Sequence, residues 1–471
     1  MDSTILFLST LLLITLLLMI WFRIRKHRDV IAFFHPYCNA GGGGERVLWC
    51  AINAMQKKYT GKYRYVVYTG DVDVTPQKIL QKAKDCFDIE VIDTDLHFIY
   101  LRTRPWLESS NYPHLTLFLQ NLAGFVVGVE ALCRCNPHVF IDTMGYPFAL
   151  PLFRWLAGCN VACYVHYPVI SHEMIKLVKS AELSYNNAQW IAKNRLFTYF
   201  KLIYYHIFAI FYYFSGICSE VVMVNGTWTR DHIVALWGVD DRTYLVYPPC
   251  NVNNLLRINS RGEELLREER RVQMLSIGQI RPEKNHRLQI CFLAELKKRL
   301  LKENLSYKIR LVICGGCRDM VDIQRAKDLQ LYAKDMGLSN DDLEWALNAS
   351  IDKVAALLEE SLIGIHTMQN EHFGISVVEG IAAGQIMIAH NSGGPKLDIL
   401  NANVVGSKTS LGLLATSVYD FVDSALEIIR MSPEQRNSIR DAARCSVNRF
   451  TEKNFEKGWN SAIAKLLPGY G

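Results

Sequence analysis

Two glutamates, Glu371 and Glu379, lie eight positions apart in the segment EHFGISVVE. Between them stand Phe373, Gly374 and Ile375, where a strand-like apolar run gives way to a helix-like one. A helix that begins at a glycine turn leaves backbone N–H groups unpaired, and its dipole favours a bound anion. Two carboxylates flanking such a turn suit a sugar nucleotide, with one binding sugar hydroxyls, the other binding ribose hydroxyls and the diphosphate between them. Two solvent-exposed glutamates on a helix edge are the alternative that the pattern leaves open.

A basic turn, GQIRPEKN, follows the first predicted strand of the second half and is a candidate for holding the diphosphate. Arg281 and Lys284 leave the strand end together; a guanidinium forks onto phosphate oxygens, and an ammonium acts as a point charge. Fixed cations there would stabilise the negative charge that grows on a leaving phosphate. We therefore expect both residues to bind the donor and to act in catalysis. A solvated basic turn is the alternative.

Two further candidates lie in the first half of the chain. Four glycines at 41–44 follow a predicted strand and open a helix, so that Gly43 and Gly44 allow close approach of a ligand to the backbone. Their spacing is not the G-x-G-x-x-G fingerprint of a dinucleotide site. His166, in CYVHYP, ends a later strand and is expected to orient an acceptor or to accept a proton from its hydroxyl. A histidine satisfied within the core is its alternative.

Strand-like and helix-like segments alternate along the chain twice over, which predicts two α/β domains with parallel sheets. Ligands of such sheets bind outside the carboxyl ends of the strands. We expect an anchor with its basic flank at 1–28, an acceptor-side Rossmann-like domain at 29–250, a nucleotide-sugar domain at 251–445, and a C-terminal helix at 446–471 packing back across the domains. The predicted strands are VIAFF, YRYVVYTG, NPHVFIDT and NVACYVHY in the first half, and RRVQMLSIGQI, KIRLVICGG, LEWALNA, LIGIHTM and QIMIAHN in the second.

Composition narrows the class of protein. The 471 residues suit two domains, half are hydrophobic, and a formal charge of +6 is too mild to indicate nucleic-acid binding. The thirteen cysteines are scattered without a framework, which is consistent with a reducing compartment. The C-x-x-C at 314–317 has no second pair at zinc-site spacing, so we expect a tight strand-to-loop turn there rather than a metal site. Asp71-Val-Asp73 has the spacing of a metal-binding pair, which stays a minor alternative.

The segment from Thr4 to Phe22 is almost wholly apolar and is close to the length that spans a bilayer. Basic residues follow it, and neither a positive segment in front nor a small-residue cleavage site behind is seen, so we expect an uncleaved anchor rather than a signal peptide. The positive-inside rule then predicts a lumenal N-terminus with the remainder in the cytosol.

A second apolar and aromatic stretch, FTYFKLIYYHIFAIFYYFSGI at 197–217, interrupts the alternating pattern. Its tyrosines and phenylalanines favour an interfacial or re-entrant helix in the cytosolic leaflet. A second membrane span is less favoured, because it would carry the second half of the chain across the bilayer. A buried core helix is the remaining alternative.

Taken together, HPYCNAGGGGERVLW, YVHYPVIS, GQIRPEKNH and NEHFGISVVEGIAAG resemble the retaining GT-B glycosyltransferases of family 4, which carry a Glu-x7-Glu motif. The similarity covers nearly everything after the anchor. It is greatest to the branch of α-1,2-mannosyltransferases that act in asparagine-linked glycosylation at the endoplasmic reticulum.

That resemblance implies GDP-mannose as donor and dolichol-diphosphate-linked Man3GlcNAc2 as acceptor, on the cytosolic face of the endoplasmic-reticulum membrane. It also implies addition of the fourth and fifth mannoses, no cofactor, no metal, and other mannosyltransferases of the same pathway as partners. Glu371 would contact the transferred mannose, Glu379 the ribose, and Arg281 with Lys284 the diphosphate. Many members of the family have an arginine where this chain has Gln279, and we expect Arg281 to take its role.

Two rival functions keep part of this pattern. A membrane-associated glycosyltransferase with another nucleotide sugar or lipid would retain every motif. A non-catalytic scaffold that binds lipid-linked glycans would be expected to have lost Glu371, Lys284 or the glycine loop, and all are present.

Overall fold

The computed structural model describes residues 3–179 and 195–467, which form two compact units. The first unit comprises the described residues up to Asn225, then Thr229–Pro249, and the described residues from Phe455 onward. The second unit comprises Gly226–Trp228 and Cys250–Asn454.

The first unit is built on seven parallel strands whose apolar residues are almost all buried, with helices on both faces. Its strands are β1 His27–Phe34, β2 Arg64–Thr69, β3 Leu96–Tyr100, β4 Pro137–Asp142, β5 Asn160–Val165, β6 Val221–Val224 and β7 Thr243–Leu245. Its helices are α1 Ser3–Ile24, α2 Gly43–Lys58, α3 Pro76–Phe87, α4 Thr116–Arg134, α5 His172–Lys179, α6 Arg195–Gly216 and most of α7 Thr227–Trp237. The strand order is β3-β2-β1-β4-β5-β6-β7.

The second unit repeats the same architecture with six parallel strands. Its strands are β8 Arg271–Ile277, β9 Lys308–Gly315, β10 Leu343–Leu347, β11 Ile363–His366, β12 Ile386–His390 and β13 Leu413–Ala415, in the order β10-β9-β8-β11-β12-β13. Its helices are α8 Val252–Leu255, α9 Gly262–Glu269, α10 His286–Lys302, α11 Met320–Asp335, α12 Ile351–Glu360, α13 Ile375–Ala382, α14 Val418–Arg430 and α15 Pro433–Ser446.

The prediction of two Rossmann-like α/β units is thus confirmed, and each predicted strand segment overlaps an observed strand. The boundaries differ in detail. β1 begins three residues before the predicted VIAFF, because the backbone of His27 already pairs with Asn136, just before β4. The short strands β3, β6, β7 and β13 were not predicted, since each is only three to five residues long and gives a weak hydrophobic pattern.

In each sheet, successive strands are added first to one side of the starting strand and then to the other. The place where the two series meet is the topological switch point. β1 and β4 are neighbours in the first sheet, and β8 and β11 are neighbours in the second. Loops at the carboxyl ends of two such strands diverge to opposite sides and leave a crevice, which is where open α/β sheets bind ligands. The glycine loop follows β1, the basic turn follows β8, and the Glu371 segment follows β11.

The last helix, α16 Glu452–Ile463, completes the core of the first unit from Phe455 onward. Trp459 is fully buried and stacks on Phe33 of β1, with 6.2 Å between ring centroids. Its ring also lies 6.0 Å from that of Tyr164 in β5. Packing of the C-terminal helix back across both domains stays a prediction.

Two helices of the described residues are long and apolar enough to cross a bilayer, Thr4–Ile24 in α1 and Thr116–Arg134 in α4. Only 6% of the first is buried against the protein, whereas 39% of the second is, as for a helix that packs on the core. α6 has one buried face, which includes Tyr205, Phe208 and Tyr212, and a second face that exposes apolar side chains. A helix buried on every side, one of the alternatives from sequence, does not fit that pattern.

Candidate active site

Glu371 is the centre of a compact charged cluster in the second unit. Its Oε2 atom lies 2.6 Å from Lys284 Nζ and 3.0 Å from His366 Nε2. Its side chain is only 13% exposed and that of His366 only 4%. The two strand ends that meet at the switch point therefore bring a carboxylate, an ammonium and an imidazole to one place.

The surroundings of Glu371 keep its carboxylate ionised. Burial acts to raise the pKa of Glu371, but the hydrogen bond with His366 and the charge of Lys284 outweigh it and hold the pKa well below its usual range. An anionic oxygen fixed in a largely buried site is suited to stabilising positive charge that develops on a nearby carbon or oxygen.

The backbone of Lys284 is held by hydrogen bonds that join its turn to the end of β11. Thr367, the residue after β11, donates a hydrogen bond from Oγ1 to the Lys284 carbonyl at 2.7 Å. Gln289 of α10 donates in turn to Thr367 Oγ1 at 2.8 Å. Asn285 follows in the left-handed region, with φ of 51°, and ends the turn where α10 begins. The basic turn after β8 is thereby fastened to the end of β11.

The glycine turn before α13 has the geometry that the sequence predicted. Gly374 adopts φ of 107°, a conformation in which a side chain would be strained, and Ile375 is the first residue of the helix. Phe373 is buried and packs edge-on against Phe450, with ring centroids 5.1 Å apart. The turn is therefore anchored by an aromatic contact, and the helix N-terminus presents N–H groups at the same strand end as Glu371.

Two adjacent glycines that were not predicted from the sequence pack directly against the backbone of this loop. A Cβ atom on Gly393 would lie under 3.0 Å from the Glu371 carbonyl, and one on Gly394 equally close to the backbone of Phe373. Gly394 also donates its N–H to the Glu371 carbonyl at 2.7 Å. Only residues without a side chain allow the two loops to approach so closely.

The other two residues predicted to bind the donor lie on the same elements as Lys284 and the glycine turn. Arg281 lies in the turn with Lys284, is about one-third exposed, and has its Nη1 3.8 Å from Glu283 Oε1. Glu379 lies on α13, one turn after Ile375, and is partly buried. Their predicted contacts with diphosphate and ribose stay predictions.

In the first unit, the structure brings Gly44 and His166, two separate candidates from the sequence, to one place. A Cβ atom on Gly44 would lie 3.7 Å from His166 Nε2 and 3.9 Å from His35 Cε1. His166 Nε2 is 3.0 Å from the Thr143 carbonyl, next to the end of β4. Gly43 is the first residue of α2, and a glycine loop with two imidazoles at its edge can accept a polar ligand closely.

His35 and Glu45 complete that group, although the sequence analysis gave them no role. His35 is fully buried, with Nδ1 2.9 Å from Thr143 Oγ1 and Nε2 3.4 Å from Glu45 Oε1. Glu45 caps the start of α2 by accepting the Gly42 N–H at 2.5 Å. Burial acts to raise the pKa of Glu45, but the hydrogen bond with His35 and the capping bond lower it overall.

His35 and His366 share a signal that could have revealed them. Each stands at or directly after the carboxyl end of a switch-point strand, β1 for His35 and β11 for His366. A polar residue at that position of an otherwise apolar run lies beside the crevice at the sheet edge, even where it is buried.

Acidification is expected to destabilise the second unit through His286. Burial, followed by the charge of Lys284, lowers the pKa of His286 from 6.5 to about 4. Between those values the unfolded chain binds a proton that the folded unit does not, so the free energy of unfolding falls as pH drops from 6.5 to about 4. The lowered pKa of Glu371 acts in the same direction at still lower pH. His286→Gln should therefore flatten the dependence of Tm on pH over that interval, whereas His114→Gln, at an exposed position, should leave it unchanged.

Residues of the candidate metal and cysteine motifs take part in hydrogen bonds within their loops. Among the described residues no group of three or more His, Cys, Asp or Glu is placed to hold a metal ion. Asp71 Oδ2 accepts the Asn39 N–H at 3.0 Å and so fixes a turn. Cys314 ends β9, the Cys317 N–H donates to Asn348 Oδ1 at 2.9 Å, and all thirteen cysteines are free thiols.

Two Rossmann-like units with glycine turns at their switch points, one carrying a lysine–glutamate pair, are the architecture of the GT-B glycosyltransferases. Solved structures agree on the fold. A sucrose-phosphate synthase from Thermosynechococcus elongatus matches with a TM-score of 0.64 at 14% identity, covering 93% of this chain and 99% of that one. Anabaena HepE in complex with UDP and glucose matches with a TM-score of 0.61 at 14% identity, covering 93% and 100%.

Sequence comparison narrows the class. Residues 28–237 match the family model described as ALG11 mannosyltransferase N-terminus, and residues 259–445 match Glycosyl transferases group 1. The human GDP-Man:Man(3)GlcNAc(2)-PP-Dol alpha-1,2-mannosyltransferase is 47% identical over 442 residues, covering 94% of this chain and 88% of the relative. The protein of that name from Caenorhabditis elegans is 45% identical over 443 residues, covering 94% and 92%. This chain belongs to that mannosyltransferase family.

Proposed function

We propose that this protein transfers mannose from GDP-mannose to dolichol-diphosphate-linked Man3GlcNAc2, adding the fourth and fifth mannoses in α-1,2 linkage. The observation that carries the catalytic part is the cluster of Lys284, Glu371 and His366 at the switch point of the second sheet. The identity of the sugars rests on the names of relatives that share almost half of the residues.

In the proposed mechanism the donor diphosphate binds between the basic turn and the start of α13. Lys284, now paired with Glu371 at 2.6 Å, turns toward the phosphate, and Arg281 adds a second cation. Glu371, released from Lys284, contacts the mannose and stabilises the oxocarbenium-like centre as the glycosidic bond breaks. Glu379 holds the ribose.

The acceptor hydroxyl attacks from the side that the diphosphate leaves, which retains the anomeric configuration. The departing phosphate takes the hydroxyl proton, and His166 orients the acceptor. Its Nε2 contact with the Thr143 carbonyl at 3.0 Å requires a protonated nitrogen there, which suits an orienting role better than that of a base. Gly43 and Gly44 line the acceptor side.

The decisive assay uses the purified full-length protein in detergent with 14C-labelled GDP-mannose and lipid-linked Man3GlcNAc2. We expect the glycan to grow by two residues that an α-1,2-mannosidase removes, and we expect a metal chelator to leave the rate unchanged. Competition with other nucleotide sugars tests the donor. Turnover of another nucleotide sugar in place of GDP-mannose would retain the glycosyltransferase site and reject the mannosyl assignment, whereas no turnover of any donor would reject the enzyme.

For the location, we propose the membrane of the endoplasmic reticulum, with α1 as a single anchor and both units on the cytosolic side. α6 would then lie in the interface of the cytosolic leaflet. Its exposed face is apolar and aromatic, and its opposite face packs on the core through Phe208 and Tyr212. The neighbouring α4 extends that surface, because Phe118 contacts Phe211 with ring centroids 5.7 Å apart.

Photochemical crosslinking in liposomes tests the placement of α6. With the photoreactive analogue benzoylphenylalanine in place of Phe200, which is 57% exposed, we expect crosslinks to phospholipid acyl chains. The same analogue in place of Tyr419, 64% exposed on the second unit, is the matched control and should give none. Equal lipid crosslinking at both positions, or none at Phe200, would contradict an interfacial α6.

A further inference from the structure

A basic cavity lies at the C-terminal end of α1, outside the candidate active site. Its volume is about 950 Å³, and we call it the basal pocket. The side chains that give it its character are Arg23, Lys26, Arg28, His138, Arg154 and Trp155.

The basal pocket is preformed, because hydrogen bonds fix the residues that the end of α1 and the following segment contribute to it. Asn136 donates from Nδ2 to the Phe22 carbonyl at 2.7 Å, and Phe22 itself is buried. Arg23 Nη2 donates to the Trp155 carbonyl at 3.2 Å, and Lys26 Nζ donates to the Gly158 carbonyl. The basic segment after the apolar helix is therefore held against the body of the first unit.

Gly158 allows two cations to approach the backbone closely. It adopts φ of 67°, and a Cβ atom there would lie 3.1 Å from Arg23 Nε and 3.5 Å from Lys26 Nζ. A side chain at this position would strain the backbone and crowd Arg23.

Positive charge in the basal pocket exceeds the negative charge that the protein supplies. None of the described lining residues is acidic, and of them Arg154 pairs with a carboxylate outside the lining, that of Glu220, at 2.8 Å. Burial lowers the pKa of Lys26, and the charges of Arg23, Arg28 and Arg154 lower it further. Burial also lowers the pKa of His138, with Lys26 and Arg28 adding to the effect. An anion bound among these groups would relieve their mutual repulsion.

The position of the basal pocket indicates which anion. The apolar part of α1 ends at Ile24, so that, with α1 in a bilayer, the next residues lie at the level of lipid phosphates. Met19 lines the pocket on the apolar side, and the half-exposed Trp155 provides the amphipathic ring that favours this depth. Arginine and lysine side chains suit phosphate oxygens in particular.

We propose that the basal pocket binds the phosphate group of a membrane lipid with net negative charge, which fixes the first unit at the bilayer surface. The site lies in the first unit and takes no part in the transfer chemistry proposed above. The proposal does rest on α1 being embedded in the bilayer, as proposed for the location. Two lipids carry this chemistry: an anionic phospholipid with its phosphodiester, and a polyprenyl diphosphate such as the lipid part of the acceptor.

Native mass spectrometry of the full-length protein, released from detergent micelles, distinguishes these sources. Separate titrations use phosphatidylinositol, phosphatidylcholine, a polyprenyl diphosphate and inorganic phosphate. The test variants are Lys26→Gln and Arg28→Gln. The matched control is Arg25→Gln, which removes one charge from the same segment, stacks over the Trp21 ring at 4.3 Å in the native protein, and does not line the pocket. Tm measurements confirm folding, and Arg28→Gln leaves the Lys26 bond to Gly158 intact.

We expect saturable binding of one phosphatidylinositol or polyprenyl diphosphate, weakened roughly tenfold by Lys26→Gln and by Arg28→Gln. Arg25→Gln should stay within about twofold of the native protein, because it removes only screened long-range charge. Binding of phosphatidylinositol alone assigns the site to a phospholipid, and binding of the diphosphate alone assigns it to the substrate lipid. The proposal would be overturned if all three variants weakened lipid binding equally, or if phosphatidylcholine bound as tightly as phosphatidylinositol. Binding of inorganic phosphate without either lipid would also overturn it.

Discussion

Glu371→Gln is expected to lower kcat for mannosyl transfer by roughly 10²–10³-fold, the range found when a single group that stabilises transition-state charge is removed. The substitution keeps the shape of the side chain but removes the charge that pairs with Lys284 and His366. Binding of GDP-mannose should change much less than kcat, because the basic turn and the start of α13 remain. Initial rates over a range of donor concentrations, with the lipid-linked acceptor in excess, separate the two effects.

Glu269→Gln provides the control for that experiment. Glu269 is an exposed glutamate at the end of α9 in the same unit, so its replacement makes the same chemical change on the surface. Its kcat should match that of the native protein. If Glu371→Gln retained kcat within about threefold of the control, the carboxylate would have no direct part in the reaction, and the proposed role would be wrong.

Gly394→Ala is expected to abolish most of the activity without any change in a charged residue. Gly394 has φ of −59°, so alanine meets no backbone strain there, but its Cβ atom would lie under 3.0 Å from the Phe373 backbone. The loop that carries Glu371, Phe373 and Gly374 must therefore move. Overpacking of this kind costs about 1–3 kcal/mol of stability, and a displacement of about 1 Å at a reacting group can lower the rate about a hundredfold.

The matched substitution is Gly316→Ala, in the loop after β9. The nearest atom to its new Cβ would be Asn348 Oδ1 at 3.8 Å, an ordinary contact. Rate and Tm of Gly316→Ala should stay close to native values, while those of Gly394→Ala both fall. Full activity in Gly394→Ala would show that the loop tolerates the displacement, and that the close approach of the two loops does not position Glu371.

The residues of the candidate site were predictable from sequence where local pattern carries the signal. Gly374 was placed at a strand-to-helix junction because an apolar run of strand length precedes it and a helical run follows, and the structure has that junction. Lys284 and Arg281 were placed in a turn after a strand for the same reason. Such inferences use neighbours along the chain, which the sequence displays directly.

Contacts between distant segments were not predictable in the same way. Lys284 and Glu371 are 87 positions apart, and their 2.6 Å contact depends on β8 pairing with the distant β11 on one side as well as with β9 on the other. His366 was visible in LIGIHTM, but nothing local indicates that its Nε2 reaches Glu371. Gly393 and Gly394 matter only because another loop lies against them.

The sequence by itself determined the alternation of strands and helices, the glycine turns, the apolar α1 and the residues that end the strands, because these depend on side-chain period and backbone preference over a few positions. Only the tertiary structure decided which strand ends meet, which face of α6 is buried, and how Arg23 and Lys26 are held on Gly158 beside Arg154. Those outcomes follow from long-range strand order and close packing, in which each contact depends on the position of every other.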